Sequence, residues 1–402
     1  MYAVFCKKRS AFGVIHSKKI NMRIGIVCYP TYGGSGVLAT ELGKALADKG
    51  HMVHFITYQQ PVRLNAFHAN IYYHEVQVPT YPLFDFPPYE SALSSTMVDV
   101  ILNQQLDLLH VHYAIPHAST AYLAKQIVSK TGRIVPFITT LHGTDITLVG
   151  KDKTYAPVVT FSINESDAIT AVSNNLREET YKSFQIEKDI EVIYNFVDTE
   201  RFKRREAELK HFRDAIAPNG EKVLLHVSNF RKVKRVPDVI KVFAQVREQV
   251  PAKLLLVGDG PDRPAIECMC REMGLCGDVR FVGKQEQLED VMSISDLFLL
   301  PSDYESFGLA ALEAMAAEVP VISSNAGGLP EVNIHGETGF LSPVGDVDSM
   351  ATYAIALLKD ENMLARMRKG ALEQAQRFHI SNVIPQYEAL YEEVINKSLV
   401  LR

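Results

Sequence analysis

Two glutamates eight positions apart hold the most chemistry in this chain. They lie in Asp303-Tyr304-Glu305-Ser306-Phe307-Gly308-Leu309-Ala310-Ala311-Leu312-Glu313, directly after an apolar run, 296–301, that reads as a buried strand. A strand end there puts Glu305 at the carboxyl edge of a sheet, where open α/β folds bind ligands. Gly308 then opens a helix whose free backbone N–H groups favour phosphate. Glu313, more than one turn further in, reaches back toward a neutral diol such as a ribose, since one carboxylate accepts hydrogen bonds from both hydroxyls. The plain alternative is two surface glutamates on an amphipathic helix, and the preceding buried strand argues against it.

Four other clusters fall at expected strand ends. Ser228-Asn229-Phe230-Arg231-Lys232-Val233-Lys234-Arg235 packs four cations into five positions, which suits a pyrophosphate; Arg231 and Lys234 are the two expected to face it, against the alternative of a solvated basic loop. Tyr29-Pro30-Thr31-Tyr32-Gly33-Gly34-Ser35-Gly36 lets the backbone turn sharply before a helix start. It lacks the G-x-G-x-x-G spacing of dinucleotide folds, and a tight turn alone would explain it. In Asp107-Leu-Leu-His110-Val-His112-Tyr113-Ala-Ile-Pro116-His117 the alternating histidines share a strand face. No third ligand accompanies them, so the reading is a strand end that presents His112 or Tyr113, with His110 structural. Thr139-Thr140-Leu141-His142-Gly143-Thr144-Asp145 puts an imidazole beside a glycine turn, where it is either a working group or a packed loop histidine. Smaller turns, Gly258-Asp-Gly-Pro261, Gly283-Lys284-Gln285 and Gly327-Gly-Leu-Pro-Glu331, follow other strands.

These clusters need sheets to hold them. Strands are expected at 24–29, 52–57, 108–113, 134–141, 168–172 and 190–194, then at 223–227, 254–257, 279–282, 297–300 and 319–323. Helical patterns lie between them, among them 37–49, 236–249 and 309–317, with Gly50 suited to a left-handed cap. Strict strand–helix alternation argues for an α/β fold of two doubly wound, Rossmann-like domains facing a cleft. The first domain is expected over 22–197 and the second over 198–380, with 198–217, charged and weakly periodic, as the linker. The tail, 381–402, is expected to pack back on the first domain through Tyr387, Leu390, Tyr391, Val394 and Ile395.

At 402 residues the chain is long for one domain, and 47 % hydrophobic residues supply two cores. A net charge of −5 argues against nucleic acid, and no apolar run is long enough to span a bilayer. The five cysteines, Cys6, Cys28, Cys268, Cys270 and Cys276, form no disulfide or metal framework and read as reduced thiols of a cytoplasmic protein. Residues 1–21 carry five cations and no acid; they are expected to be a disordered basic extension, with Met22 the working start.

Taken together, the motifs resemble the retaining glycosyltransferases of the GT-B fold, the GT4 family that includes sucrose and mannosyl transferases. The E-x7-E element, Glu305 to Glu313, carries the likeness, supported by Arg231/Lys234 and the glycine turns at 258–261 and 327–331. Within the family the strings at 28–36, 62–65 (Val-Arg-Leu-Asn), 110–117, 139–146 and 228–235 are most similar to members acting in bacillithiol biosynthesis. The resemblance implies UDP-N-acetylglucosamine as donor and L-malate as acceptor. It implies that Arg231 and Lys234 neutralise the diphosphate and that Glu313 holds the ribose. Glu305 and the backbone of Phe307, Gly308 and Leu309 would hold sugar and phosphate, with the uracil near Lys284 and His142 against the donor sugar. Malate would lie near Gly34, Ser35, Gly36, Tyr113 and Thr140, with Arg63 as a further carboxylate partner. Relatives carry a cation near 158–164 where this chain has Thr160, which leaves malate's second carboxylate without an assigned group. No cofactor, obligatory metal, nucleic acid or membrane partner is implied, and a homo-oligomer stays open. The alternatives are another acceptor, such as an inositol phosphate or a glycan, and a non-catalytic sugar-nucleotide sensor.

Overall fold

The computed structural model describes residues 21–31, 33–64, 67–78, 85–149 and 152–400. The basic extension, apart from Asn21, lies outside the described residues, as do Tyr32 of the glycine-rich turn and Asn65. Met22 is buried, and its N–H donates to His51 Nδ1 at 3.1 Å.

Apolar runs flanked by helical segments form two sheets. The first holds β1 (Arg23–Val27), β2 (Met52–Thr57), β3 (Ile71–Glu75), β4 (Leu108–His112), β5 (Phe137–Leu141), β6 (Ala168–Ala171) and β7 (Ile190–Val192), in the order β3-β2-β1-β4-β5-β6-β7. The second holds β8 (Lys222–Val227), β9 (Ala252–Val257), β10 (Val279–Gly283), β11 (Leu297–Leu300), β12 (Val321–Ser324) and β13 (Gly339–Ser342), in the order β10-β9-β8-β11-β12-β13. Neighbouring strands run parallel throughout, for example Ile24 opposite Leu108 and Leu297 opposite Leu224. Helices cover both faces, which is why the inner strands are apolar on both sides. In each sheet the strand order reverses once, between β1 and β4 and between β8 and β11. The five principal motifs follow those four strands and the adjacent β5. The sequence therefore places its chemistry at the two switch points, where the crevice of a doubly wound sheet opens.

The expected helix at 37–49 begins earlier, at Gly34–Asp48, inside the glycine-rich turn, and Gly50 has φ 99° as a left-handed cap requires. β3 and β13 were not expected from the sequence. β3 is an edge strand with exposed Tyr72, Tyr73 and Glu75, so no apolar run marks it, and β13 is only four residues long.

The expected linker at 198–217 is corrected by the structure. Phe202, Leu209 and Ala217 are buried in the core beside Val223 and Phe298, and Lys210–Ile216 is a helix. Its charges hold it down. Arg213 meets Asp296 at 2.7 Å, Arg205 meets Asp290 at 2.5 Å, and Arg204 donates to the Ser295 carbonyl at 3.1 Å. A run of charges without periodicity here marks ion pairing to a second-sheet surface rather than free chain. The tail helix Ile380–Val400 buries Tyr387, Leu390, Tyr391 and Val394 against Ile24, Leu38 and Phe55, so it returns to the first sheet, with Ile395 packed at its margin.

Candidate active site

After β11 the chain turns through Ser302–Phe307 and enters the helix Leu309–Ala316. Gly308 makes that entry possible. It sits at φ 100°, and a Cβ there would come within 2.6 Å of the Leu329 side chain. Glu305 lies inside the turn, where its Oε1 accepts from Lys234 Nζ at 2.6 Å and from Ser302 Oγ at 2.8 Å. The Gly327-Gly328 turn props it from behind, with Gly328 N–H donating to the Glu305 carbonyl at 2.8 Å. The Phe307 ring is buried in the core beside Phe378, so Phe307 can offer a ligand only its backbone.

The basic loop meets this turn through the Asp303 N–H, which donates to the Val233 carbonyl at 2.8 Å. Its four cations have different positions. Lys234 faces Glu305. Arg235 is fixed by Asp238 and Asp303. Lys232 and Arg231 are exposed, and the Arg231 side chain has no acidic partner among the described residues. Lys284 is exposed at the end of β10, two strands from β8 and so about 10 Å away across the sheet.

Glu313 is 6 % exposed, and burial raises its carboxyl to about 7 even though Arg63 and Arg201 favour the charged form. Arg63 Nη2 stands 3.6 Å from Glu313 Oε1. Arg63 thus lies at the expected ribose carboxylate. It shares a small cavity with Glu41, Arg201, Leu309 and Glu313 at the seam between the sheets. Its backbone is in the left-handed region, φ 62°.

In the first sheet, the helix at Gly34 starts directly under the β1 turn. Gly36 is required by that approach, because a Cβ would lie 2.4 Å from the Tyr29 carbonyl and 2.5 Å from that of Thr31. Ser35 Oγ accepts from the Tyr113 hydroxyl at 2.6 Å, so Tyr113, not His112, is the side chain that the end of β4 presents. Burial pushes the Tyr113 phenol up to about 12. Thr140 holds Tyr113 in place by accepting its N–H at 2.9 Å. The Thr140 hydroxyl is itself turned inward, 2.7 Å from His110 Nε2 and 2.6 Å from the Thr170 hydroxyl. His110 also bonds the Tyr391 hydroxyl at 2.7 Å, which makes it structural, as its place in the strand suggested.

His142 follows β5, 9 % exposed, with Nε2 2.8 Å from His112 Nδ1. Burial lowers it to about 3, so the ring is neutral. Asp145 has no task evident from local pattern, yet it ties the two turns together. Its carboxylate accepts the Ala114 N–H at 2.8 Å and the Gly143 N–H at 3.2 Å, and burial raises it to about 6. Only its place in the 139–146 string marked it.

The two halves meet at these turns. A Cβ on Gly143 would stand 2.8 Å from that of Ser306, and one on Gly34 would stand 3.7 Å from Leu309 Cδ2. Ser173 Oγ donates to the Ser306 carbonyl at 2.6 Å, and Glu331 accepts the N–H groups of Asn174 and Asn175 at 3.0 and 2.9 Å. Neither Ser173 nor the cross-sheet role of Glu331 was visible in the sequence, because each depends on the docking of one sheet on the other. His142, Tyr113 and Ser35 therefore line one wall of the cleft, with Lys234, Glu305 and the Gly308 helix start on the other. Thr140 supports the first wall from within, Lys284 lies toward the far sheet edge, and Arg63 joins Glu313 at the seam. Among the described residues, no group of three or more His, Cys, Asp or Glu side chains is placed to hold a metal ion, and no helix is long and apolar enough to cross a membrane.

Known proteins resemble this chain in sequence and in fold. Residues 32–201 match the model for Glycosyltransferase Family 4, and 208–374 match that for Glycosyl transferases group 1. N-acetyl-alpha-D-glucosaminyl L-malate synthase of Bacillus anthracis is 48 % identical, over 94 % of this chain and 98 % of that protein. Among solved structures, the Anabaena protein HepE in complex with UDP and glucose superposes with a TM-score of 0.79 at 20 % identity, over 92 % of this chain and all of that one. Sucrose-phosphate synthase from Thermosynechococcus elongatus does so with a TM-score of 0.79 at 22 % identity, over 94 % of this chain and all of that one. By its matched halves, its full-length relative and its two Rossmann-like sheets, the chain belongs to the family 4 glycosyltransferases of the GT-B fold.

Proposed function

We propose that the chain transfers N-acetylglucosamine from UDP-N-acetylglucosamine to the hydroxyl of L-malate with retention of configuration, the first step of bacillithiol biosynthesis. The observation that carries this reading is 48 % identity to the N-acetyl-alpha-D-glucosaminyl L-malate synthase over both halves of the molecule. Breaking the bond from the sugar to the diphosphate sends its electron pair to a phosphate oxygen, so charge stabilisation on the leaving group dominates the barrier. Lys234, Arg231, which has no acidic partner among the described residues, and the helix start at Gly308 supply it, and the reading requires no metal. Glu313 takes the ribose hydroxyls, and the backbone at 307–309 takes the phosphate. Glu305 holds the sugar, the uracil lies toward Lys284, and His142 contacts the donor sugar as a neutral ring. Malate lies along Gly34, Ser35, Gly36 and Tyr113.

The malate oxygen attacks C1 on the face the phosphate leaves, and its proton passes to the departing phosphate oxygen. No covalent enzyme intermediate is invoked; Glu305 accepts hydrogen bonds from Lys234 and Ser302 and serves to hold the sugar. Closure of the two walls excludes water from the donor. The free cysteines Cys28, Cys268, Cys270 and Cys276 support a cytoplasmic enzyme.

UDP release from UDP-N-acetylglucosamine, with and without L-malate and with the product mass checked, tests the proposal. Malate-dependent release of a glucosaminyl-malate is expected. Release indifferent to malate would move the search to inositol phosphates or glycans. Donor binding without turnover on any acceptor would make the protein a sensor.

A further inference from the structure

His112 lies beneath the cleft, at the end of β4, and is 2 % exposed. Its Nδ1 is 2.8 Å from His142 Nε2, and the two rings meet edge to edge, with centroids 5.0 Å apart and planes 26° apart. Its face stacks on His110 at 4.5 Å. Its second nitrogen, Nε2, is sealed from solvent with no hydrogen-bond partner among the described residues. The second nitrogen of His142, Nδ1, is not among the sealed, unpartnered atoms of the described residues. It is the ring atom left for the cleft.

Burial keeps both rings neutral, His142 lowered to about 3 and His112 lowered well below the ordinary imidazole value. Each ring then carries one N–H, and one hydrogen lies between Nδ1 of His112 and Nε2 of His142. Two arrangements satisfy this. In one, His142 donates; the His112 hydrogen must then sit on the sealed Nε2, a buried N–H with no acceptor. In the other, His112 donates from Nδ1, and its Nε2 keeps only a bare lone pair. A buried, orphaned N–H costs about 1–3 kcal/mol and is the rarer defect in native proteins, while an unmet lone pair is better tolerated. The second arrangement wins. It leaves His142 with its hydrogen on Nδ1.

We infer that His112 is a positioning residue that fixes the tautomer of His142, so that His142 presents an N–H donor, not a basic lone pair, to the bound sugar donor. The chemical class addressed is a hydroxyl or other oxygen acceptor on the transferred sugar. The arrangement also removes a competing base from the reacting centre, which leaves the acceptor's proton to the departing phosphate. This rests on the proposed reading of His142 as a donor-sugar contact, but the tautomer itself does not.

Long-range proton–nitrogen correlation spectra of the substrate-free protein with ¹⁵N-labelled histidine decide the tautomer, with His142→Gln assigning the signals. A protonated Nδ1 and a bare Nε2 on His142 are expected; the reverse overturns the inference. His112→Leu, which keeps the ring's bulk but not its donor, should release His142 into a mixture of tautomers. It should lower kcat/KM for the sugar nucleotide by about 10–100-fold, on the scale of losing the outer partner of a metal-ligating histidine. His112→Asn, which keeps an N–H at the same reach, should recover most of that loss and leave the malate KM unchanged. Equal kcat/KM in wild type and a folded His112→Leu would overturn the positioning role. Full activity of His142→Gln would instead remove the donor-sugar reading and leave the tautomer standing.

Discussion

Arg63→Ala gives a sharp test of the seam between the two sheets. In the free protein Arg63 stands 3.6 Å from Glu313, with side-chain exposures of only 17 % and 8 %. Two unit charges at that distance attract by about 4–5 kcal/mol at an effective dielectric constant of about 20, and desolvation offsets most of that. A net of about 1–2 kcal/mol opposes any ligand that must take the Glu313 oxygens for its own hydroxyls. Removing the arginine should therefore tighten UDP binding by about five- to thirtyfold. Calorimetric titration with UDP at pH 9 reads the effect on a charged carboxylate, because losing Arg63 removes a group that favours the charged form and lets Glu313 rise above its value of about 7. Glu313→Ala serves as the control, since it removes both the competitor and the site and should weaken binding. The malate KM of Arg63→Ala checks separately the sequence-based expectation that Arg63 answers an acceptor carboxylate. Unchanged or weaker UDP binding in Arg63→Ala would refute the competition.

The remaining predictions concern charge and burial. Lys234→Ala removes the cation 2.6 Å from Glu305 and should cut turnover by about 10²–10³-fold with little change in melting temperature; near-normal turnover in the UDP-release assay would remove its leaving-group role. Asp296 is buried between Arg213 and Arg368, each at 2.7 Å, and accepts the Val223 N–H, so Asp296→Ala should cost about 3–5 kcal/mol in a urea titration. Acid should destabilise the fold well before ordinary carboxylates titrate. His110, His117, His142 and His226 are lowered by burial to about 3, 4, 3 and 4, so the unfolded chain binds their protons first, and stability is lost as pH falls below the unfolded value of 6.5. At pH 5 each contributes about 2 kcal/mol of loss. Glu313 and Asp145, raised to about 7 and 6, act in the opposite sense and offset roughly half of the total. Equal urea midpoints at pH 7 and pH 5 would contradict this balance.

The sequence made the donor wall more legible than the seam. Glu305, Gly308 and Lys234 sit within short strings beside β8 and β11, and local rules suffice to place them: strand, turn, helix start, cation cluster. Tyr113 and His142 were legible as strand-end residues, but the choice between His112 and Tyr113 was not. One residue in a β-strand reverses the side chain's face, and the left-handed Tyr113 at φ 84° breaks the alternation just where the choice is made. Thr140 looked available because a hydroxyl at a strand end usually is; its inward turn depends on His110 and Thr170 from two other strands. Arg63, Ser173 and Glu331 depend on contacts between the sheets, 157 residues apart for Asn174 and Glu331, and no local pattern carries such information. The segment 198–217 misled for a related reason: its partners, Asp290 and Asp296, lie on another element, so its charges looked solvated.

These pairings also explain how one cleft can be both well ordered and receptive. In the free protein, groups proposed to touch substrate are bonded to one another: Lys234 to Glu305, Arg63 to Glu313, Tyr113 to Ser35 and, one layer back, His142 to His112. Each side chain is thus held near a single rotamer before the ligand arrives, which lowers the ordering cost of binding. The charges are already largely desolvated, so a diphosphate that draws Lys234 from Glu305, or a ribose that displaces Arg63 from Glu313, exchanges one polar partner for another instead of stripping water from a bare ion. Arg231 is the exception. It is exposed and unpaired among the described residues, and so is free to meet an incoming diphosphate at long range before the paired groups let go. An encounter led by Arg231 and completed by Lys234 would show as a salt-sensitive association rate lost in Arg231→Ala, with the dissociation rate governed by Lys234. The opposite division of the two rates would mean that the internal pairs, not the free arginine, receive the donor first.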